Sequence, residues 1–156
     1  MVLAYTTSSH LMLDYDLKTE TEAVGFTRKY AKFHKLGSAL TILTSEVKQM
    51  DLNLDKGNLL NRYSAIFGKP IHWSEIQWHV KEAYELGMVE KGFLALRQFG
   101  SITIRTSAKN PEIPAPKIVD YFPNGDRRGV MGFLRHWVMC RNLGEVNDGR
   151  KRKRKA

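Results

Sequence analysis

The sequence predicts an α+β domain in the ferredoxin-like, split βαβ order βαββαβ, followed by one more helix. Three observations predict it. Stretches in which apolar residues alternate are interleaved with stretches in which they recur every three to four residues. Glycines at 37, 68, 87 and 144 punctuate the boundaries. The 156 residues are 42% hydrophobic, enough for one cored domain without a metal or disulfide staple.

The first strand is read over residues 10–17, HLMLDYDL. Leu11, Leu13, Tyr15 and Leu17 face one way; His10, Met12, Asp14 and Asp16 face the other. Residues 19–36 form a helix with the stripe Ala23, Phe26, Tyr30, Phe33. Thr19 and Glu22 match a capping box, and Gly37 is the stop. The β-branched run 38–45, SALTILTS, is the second strand, and the polar stretch 47–58 a loop. Residues 59–67 are the third strand, ended by Gly68-Lys69-Pro70. Residues 73–86 form a second helix with Trp73, Ile76, Val80 and Ala83 along its stripe. The fourth strand is Ser101 to Arg105, with Ser101, Thr103 and Arg105 opposite Ile102 and Ile104. The proline-rich stretch 110–116 is a rigid connector, and 117–122 a short strand. Asp126 caps a final helix that runs to Leu143.

Domain limits follow: an N-terminal tail 1–8, one domain 9–144 and a disordered basic tail 145–156. Right-handed crossovers place the first two helices on one sheet face, with the last helix expected to cover part of the other. A winged helix is the alternative, with 73–86 as recognition helix and 88–106 as a hairpin wing.

Charge is uneven. The chain carries 25 Lys+Arg against 16 Asp+Glu, net +9. Arg150, Lys151, Arg152, Lys153, Arg154 and Lys155 supply six of those cations, which leaves the body near +3. Such a run has nothing apolar to bury and suits phosphate contacts that release counterions, so the expected partner is nucleic acid, DNA or RNA. The single cysteine, Cys140, excludes an internal disulfide and a cysteine-rich zinc site. No apolar run approaches the ~20 residues that span a bilayer, and Met1 to His10 lacks the pattern of a signal peptide. No membrane partner is expected. The expected compartment is cytoplasmic or nucleoid-associated, or nuclear in a eukaryote.

Asp14 and Asp16, two apart on a strand, project from one face and suit a shared Mg²⁺ or Mn²⁺. Arg62, Arg97 and Arg105 fall in or beside the third and fourth strands. With Tyr63 they make a candidate surface for stacking bases and holding phosphates, or else cross-strand ion pairs to Asp14 or Asp16. Asp51, Asn53, Asp55 and Gly57 imitate a calcium loop, but Lys56 and Arg62 occupy its sixth and twelfth positions, which excludes an EF-hand. His72 reads as a helix cap and His79 as a packed residue, since no third metal ligand is evident. Trp73, Trp78 and Trp137 read as core anchors, and Cys140 as a buried apolar residue.

The segment LMLDYDL resembles the first motif of archaeo-eukaryotic primases, Asp-hydrophobic-Asp on the first strand of an RRM-like palm, a fold shared with rolling-circle Rep endonucleases. FGKPIHWSEI and LRQFGSITIR look like segments of small replication-associated proteins of archaeal plasmids and viruses. The resemblance implies a replication- or regulation-associated nucleic-acid-binding accessory factor of a mobile element. One alternative is a metal-dependent nucleotidyl-transfer or nicking enzyme using Asp14 and Asp16; another is an RNA-associated structural subunit. The second primase motif carries a His where this chain reads Asn61-Arg62-Tyr63-Ser64-Ala65, and the third carries an Asp where Arg105 follows Ile104. A palm kept for binding alone is equally consistent with these residues.

Overall fold

Alternation along His10–Asp14 (β2) turns Leu11 and Leu13 to one face of the sheet and His10, Met12 and Asp14 to the other; Leu11, Met12 and Leu13 are fully buried, His10 is half-buried and Asp14 is exposed. The computed structural model describes residues 3–47, 59–96 and 100–155, with backbone only at 96 and 143–155. Its elements are β1 (Ala4–Thr7), β2, α1 (Glu20–Phe33), β3 (Ala39–Ser45), β4 (Arg62–Pro70), α2 (Trp73–Glu85), α3 (Lys91–Leu96), β5 (Ile102–Arg105), β6 (Lys117–Phe122) and α4 (Arg128–Lys155). The fold is mixed α+β with antiparallel sheets. A four-stranded sheet has the order β2-β4-β3-β6, and β1 pairs with β5 in a separate ladder.

In the four-stranded sheet β4 lies between β2 and β3, the two strands that α1 joins. α1 and α2 lie together on the Leu11 side. There the Tyr15 hydroxyl donates to Thr27 at 2.5 Å, and Thr27 donates to the Ala23 carbonyl at 2.8 Å. The Tyr30 ring meets Phe67 of β4 with centroids 6.0 Å apart. α1 begins at the expected capping box: Thr19 Oγ1 accepts from the Glu22 N–H at 3.2 Å, and Glu22 Oε1 accepts from the Thr19 N–H at 3.3 Å. α2 is capped by His72, whose Nδ1 accepts from the Ser74 N–H at 3.2 Å, and it closes at Gly87, φ +77°.

The fourth expected strand differs in its pairing. The chain bends at Ser8 and Ser9, and β5 follows the segment before that bend instead of the β2 edge. Residues 4–7, read as tail, are therefore a strand. β6 takes the β3 edge, held by Arg28 of α1, whose Nε and Nη2 donate to Asp120 at 2.8 and 2.6 Å. The third strand is displaced as well. It begins at Arg62 and continues through Gly68, because Gly68 donates to the Ser38 carbonyl at 2.7 Å and Lys69 to the Leu36 carbonyl at 2.8 Å. α3 occupies the place of the first wing strand, so the winged-helix alternative does not describe this chain.

α4 covers the His10 side of the sheet. Val130, Phe133 and Cys140 are buried, and Gly129 rides on the His10 ring and the Phe67 carbonyl. The helix does not stop at Gly144. Its backbone runs to Lys155, so the segment 145–155, expected to be disordered, is helical here. Lys and Arg are good helix formers, and the two glycines of this stretch, Gly144 and Gly149, cost only about 1 kcal/mol each. The expected loop beyond Val47 lies outside the described residues, as do the calcium-like positions 51–57. No helix among the described residues is long and apolar enough to cross a membrane.

The start of α4 carries a pH-dependent contact. Asp126 accepts from the Arg128 guanidinium (2.6 Å to Nη2) and from the Arg128 N–H (3.0 Å), and these bonds hold its carboxyl down at about 2. The unfolded value is about 3.9. The stabilisation is therefore complete above about pH 4 and lost as pH falls towards 2. Asp126→Asn keeps an acceptor for the N–H but should lose stability at pH 5 and flatten the dependence between pH 4 and 2. Urea midpoints of the two proteins across that range check this.

Candidate functional site

β2 ends at Asp14, and the alternation that would align Asp14 with Asp16 ends there too. Asp14 accepts from the Ser64 hydroxyl at 3.1 Å. It lines a cleft of about 180 Å³ with Thr44, Arg62, Ser64, Thr103 and Arg105. Asp14 is exposed at the end of β2, yet protein atoms crowd its carboxyl and strip part of its hydration. Desolvation raises its carboxyl, against the opposing pulls of the Ser64 bond and the Arg62 charge. Asp16 lies past the strand end. Its carboxylate accepts from the Leu17 N–H at 2.8 Å and shares a hydrogen bond with Glu90. The Leu17 bond lowers Asp16, while Asp16 raises Glu90, a partner that no sequence motif singles out.

The expected basic surface divides. Ile102 and Ile104 are buried and Thr103 is exposed, as the alternation requires. Arg105, however, is spent on structure. Its guanidinium donates to the carbonyls of Ser107, Pro114 and Thr44, tying β5 to β3 and to the connector, and desolvation lowers its pKa. Arg62 is exposed and reaches Asp14 and Asp16 with its charge. Tyr63 is 3% exposed and lines a different pocket, with Glu20 and Leu43 on the α1 side, so its ring is no platform beside Arg105. Arg97 lies outside the described residues, and of the cations from Arg150 to Lys155 only the backbone is described.

A second constellation spans α1 and α2. Tyr30 and His34 stand four apart on α1 and its cap, and His79 and Glu82 three apart on α2, so each pair shares a helix face. His34 Nε2 lies 3.1 Å from Glu82 Oε2. The Tyr30 hydroxyl lies 2.6 Å from His79 Nδ1 and donates to Glu82 Oε2 at 2.8 Å. His79 is buried, as expected of a packed residue. Burial, then the neighbouring His34, lowers its pKa to about 4 despite Glu82 and Glu75, so its ring is neutral at pH 7. Among the described residues this is the one group of three His, Cys, Asp or Glu donors whose ligand atoms lie within 4.8 Å of one another. Asp14 and Asp16 belong to no such group. The i, i+3 and i, i+4 spacings are visible in the sequence; that the two helices meet there is not. Trp78, expected in the core, is 54% exposed and edges against both His34 and His79.

Cys140 is buried, with Sγ 3.4 Å from His136 Nε2 and 3.5 Å from Thr106 Oγ1. No protein-family model, no curated protein and no solved structure matches this chain.

Proposed function

We propose that the protein binds nucleic acid through its phosphate backbone, as an accessory factor of replication or regulation in a mobile element, with the C-terminal part of α4 as the principal contact. The observation that carries this reading is the run of six cations at 150–155 on a helix whose first turns are packed on the sheet. A docked helix presents its charges with less ordering cost than a loose tail does, and clustered Lys and Arg are the electrostatic footprint of a phosphate partner. We read β2, β4 and β3 with α1 and α2 as a palm-type, ferredoxin-like or RRM-like unit whose second face is taken up by α4. Binding across an open sheet face, as RNA-reading sheets do, has little support where Gly129, Val130 and Phe133 cover it. The enzymatic alternative retains Asp14 in its cleft, whereas the Asp16 carboxylate is occupied by Leu17 and Glu90.

The test compares the full chain with a chain lacking residues 150–156, on duplex DNA, single-stranded DNA and RNA across a salt series, with and without Mg²⁺. Successive helical residues are about 100° apart, so only about half of six cations can meet one surface at once. Truncation should then reduce the slope of log affinity against log salt by about 2 to 3 on duplex DNA. Stability should change by less than about 0.5 kcal/mol. An unchanged slope sinks the reading. Binding confined to RNA would favour the RNA-associated subunit, and strand cleavage or nucleotide incorporation lost in Asp14→Ala would favour the enzyme.

A further inference from the structure

We propose that His34, His79 and Glu82 form a binding site for one divalent transition ion of the zinc class, with the Tyr30 hydroxyl beside it as a further oxygen donor. The case rests first on convergence. One ligand atom each of His34, His79 and Glu82 lies within 4.8 Å of the other two, and the Tyr30 hydroxyl lies against His79 Nδ1 and Glu82 Oε2. Three of their separations are 3.1, 2.6 and 2.8 Å. A tetrahedral ion bound at 2.0–2.1 Å holds its ligand atoms roughly 3.3 Å apart. These edges need to open by about 0.2 to 0.7 Å, most at the Tyr30–His79 edge, which side-chain rotation can supply.

The donor chemistry selects the ion. Two imidazoles and a carboxylate are a borderline set that suits zinc, cobalt or nickel, whereas magnesium and calcium prefer oxygen alone. The imidazoles are also held in place. His34 is flanked by the rings of Tyr30, Phe33 and Trp78, with centroids 4.3, 4.9 and 5.7 Å away, and His79 by Tyr30 and Trp78 at 5.5 and 5.0 Å. Rings fixed by packing lose little freedom when a ligand arrives.

The site is reachable. Tyr30, His34 and Glu82 form part of the wall of a groove of about 680 Å³, whose rim includes Phe33, 80% exposed, and Leu86, 57% exposed. An ion enters from that side, and a water completes the coordination where Tyr30 stays protonated. Binding would fasten the end of α1 to the middle of α2. The ion would take the place of the proton network now present, in which Tyr30 donates to Glu82 and the two imidazoles supply the remaining N–H groups. The site lies on the α1–α2 side of the sheet, away from α4, so its fate and that of the nucleic-acid reading are separable.

The full-length protein, stripped with chelator and dialysed, is titrated with Zn²⁺ by calorimetry and with Co²⁺ by visible absorption. Expected are one ion per chain, a dissociation constant of about 1 µM or tighter, a rise in Tm with zinc, and intense Co²⁺ bands of a four-coordinate nitrogen–oxygen set. Glu82→Gln retains hydrogen bonds to Tyr30 and His34, so it should fold, yet it should weaken binding by at least the ~10–100-fold that even an outer-shell change costs. His34→Ala should do the same. His72→Ala, at the N-cap of α2 and outside the group, should bind as the parent does. No stoichiometric uptake, or uptake unaltered in Glu82→Gln and His34→Ala, would show a hydrogen-bond network only. Uptake abolished by Cys140→Ser would assign the ion to His136 and Cys140 and overturn the proposal.

Discussion

Gly68→Ala is expected to cost at least about 3 kcal/mol, the upper end of overpacking penalties, and to lower Tm by roughly 6–12 °C in a domain of this size. A β-carbon at Gly68 would stand 2.2 Å from the Asp126 carbonyl oxygen and 2.9 Å from the Arg127 Cα. Both are backbone atoms, so no side-chain rotation relieves the clash. The Asp126 carbonyl cannot retreat freely, because it accepts the Ser38 N–H at 2.7 Å. Gly37, φ +79°, is crowded by the same oxygen at 2.3 Å, so the turn into α4 is threaded between Gly37, just before β3, and Gly68, within β4. Gly25 supplies the contrast. It is mid-helix in α1, and a β-carbon there would meet nothing within 4 Å, so Gly25→Ala should stabilise by about 0.5–1 kcal/mol. Urea unfolding of the two variants beside the parent decides the matter. Equal midpoints for Gly68→Ala and the parent would mean that α4 is not seated on β4 as described.

That glycine marks the limit of what local pattern conveys. By pattern, Gly68-Lys69-Pro70 is a strand end, since glycine and proline weaken ladders. The strand continues because its neighbour is a loop that needs the missing side chain, and nothing within ten residues of Gly68 announces Asp126. The helices are legible where their signals are local: the Thr19–Glu22 box, the His72 cap and the Gly87 stop all depend on residues within one turn. Strand partners are legible only where short connections dictate them. Topological habit assigns β5 to the β2 edge, whereas the bend at Ser8 and Ser9 sends it to β1. The candidate sites follow the same division. Periodicity alone pairs Asp14 with Asp16, and the strand ends at Asp14, two residues short. His79 is packed, as its place on the helix suggests, but Tyr30 and His34 lie some fifty residues away and arrive through tertiary docking.

Phe133→Ala should cost about 3–5 kcal/mol, and the loss should be shared by the whole domain. Phe133 is fully buried, and its ring meets Tyr5 of β1 edge-on, with centroids 5.7 Å apart. One side chain therefore couples α4 to the β1–β5 ladder, while Gly129 beside it couples α4 to β2 and β4. If α4 were an independent lid, the substitution would release it and leave the sheet intact. Its burial argues otherwise: Ile66 and Met12, on the covered face of the sheet, are fully buried, and an undocked α4 would leave part of that apolar face to water. Undocking and unfolding should then coincide. Two probes test this in one denaturant series: far-UV circular dichroism follows the whole backbone, and tryptophan fluorescence follows Trp73 and Trp78 of α2 and Trp137 of α4. Coincident transitions at a lower midpoint are expected. A fluorescence change that precedes the loss of secondary structure would show that α4 leaves first. Val138→Ala on the same helix, at a side chain 49% exposed, should change stability by less than about 0.5 kcal/mol, which separates docking from helix propensity.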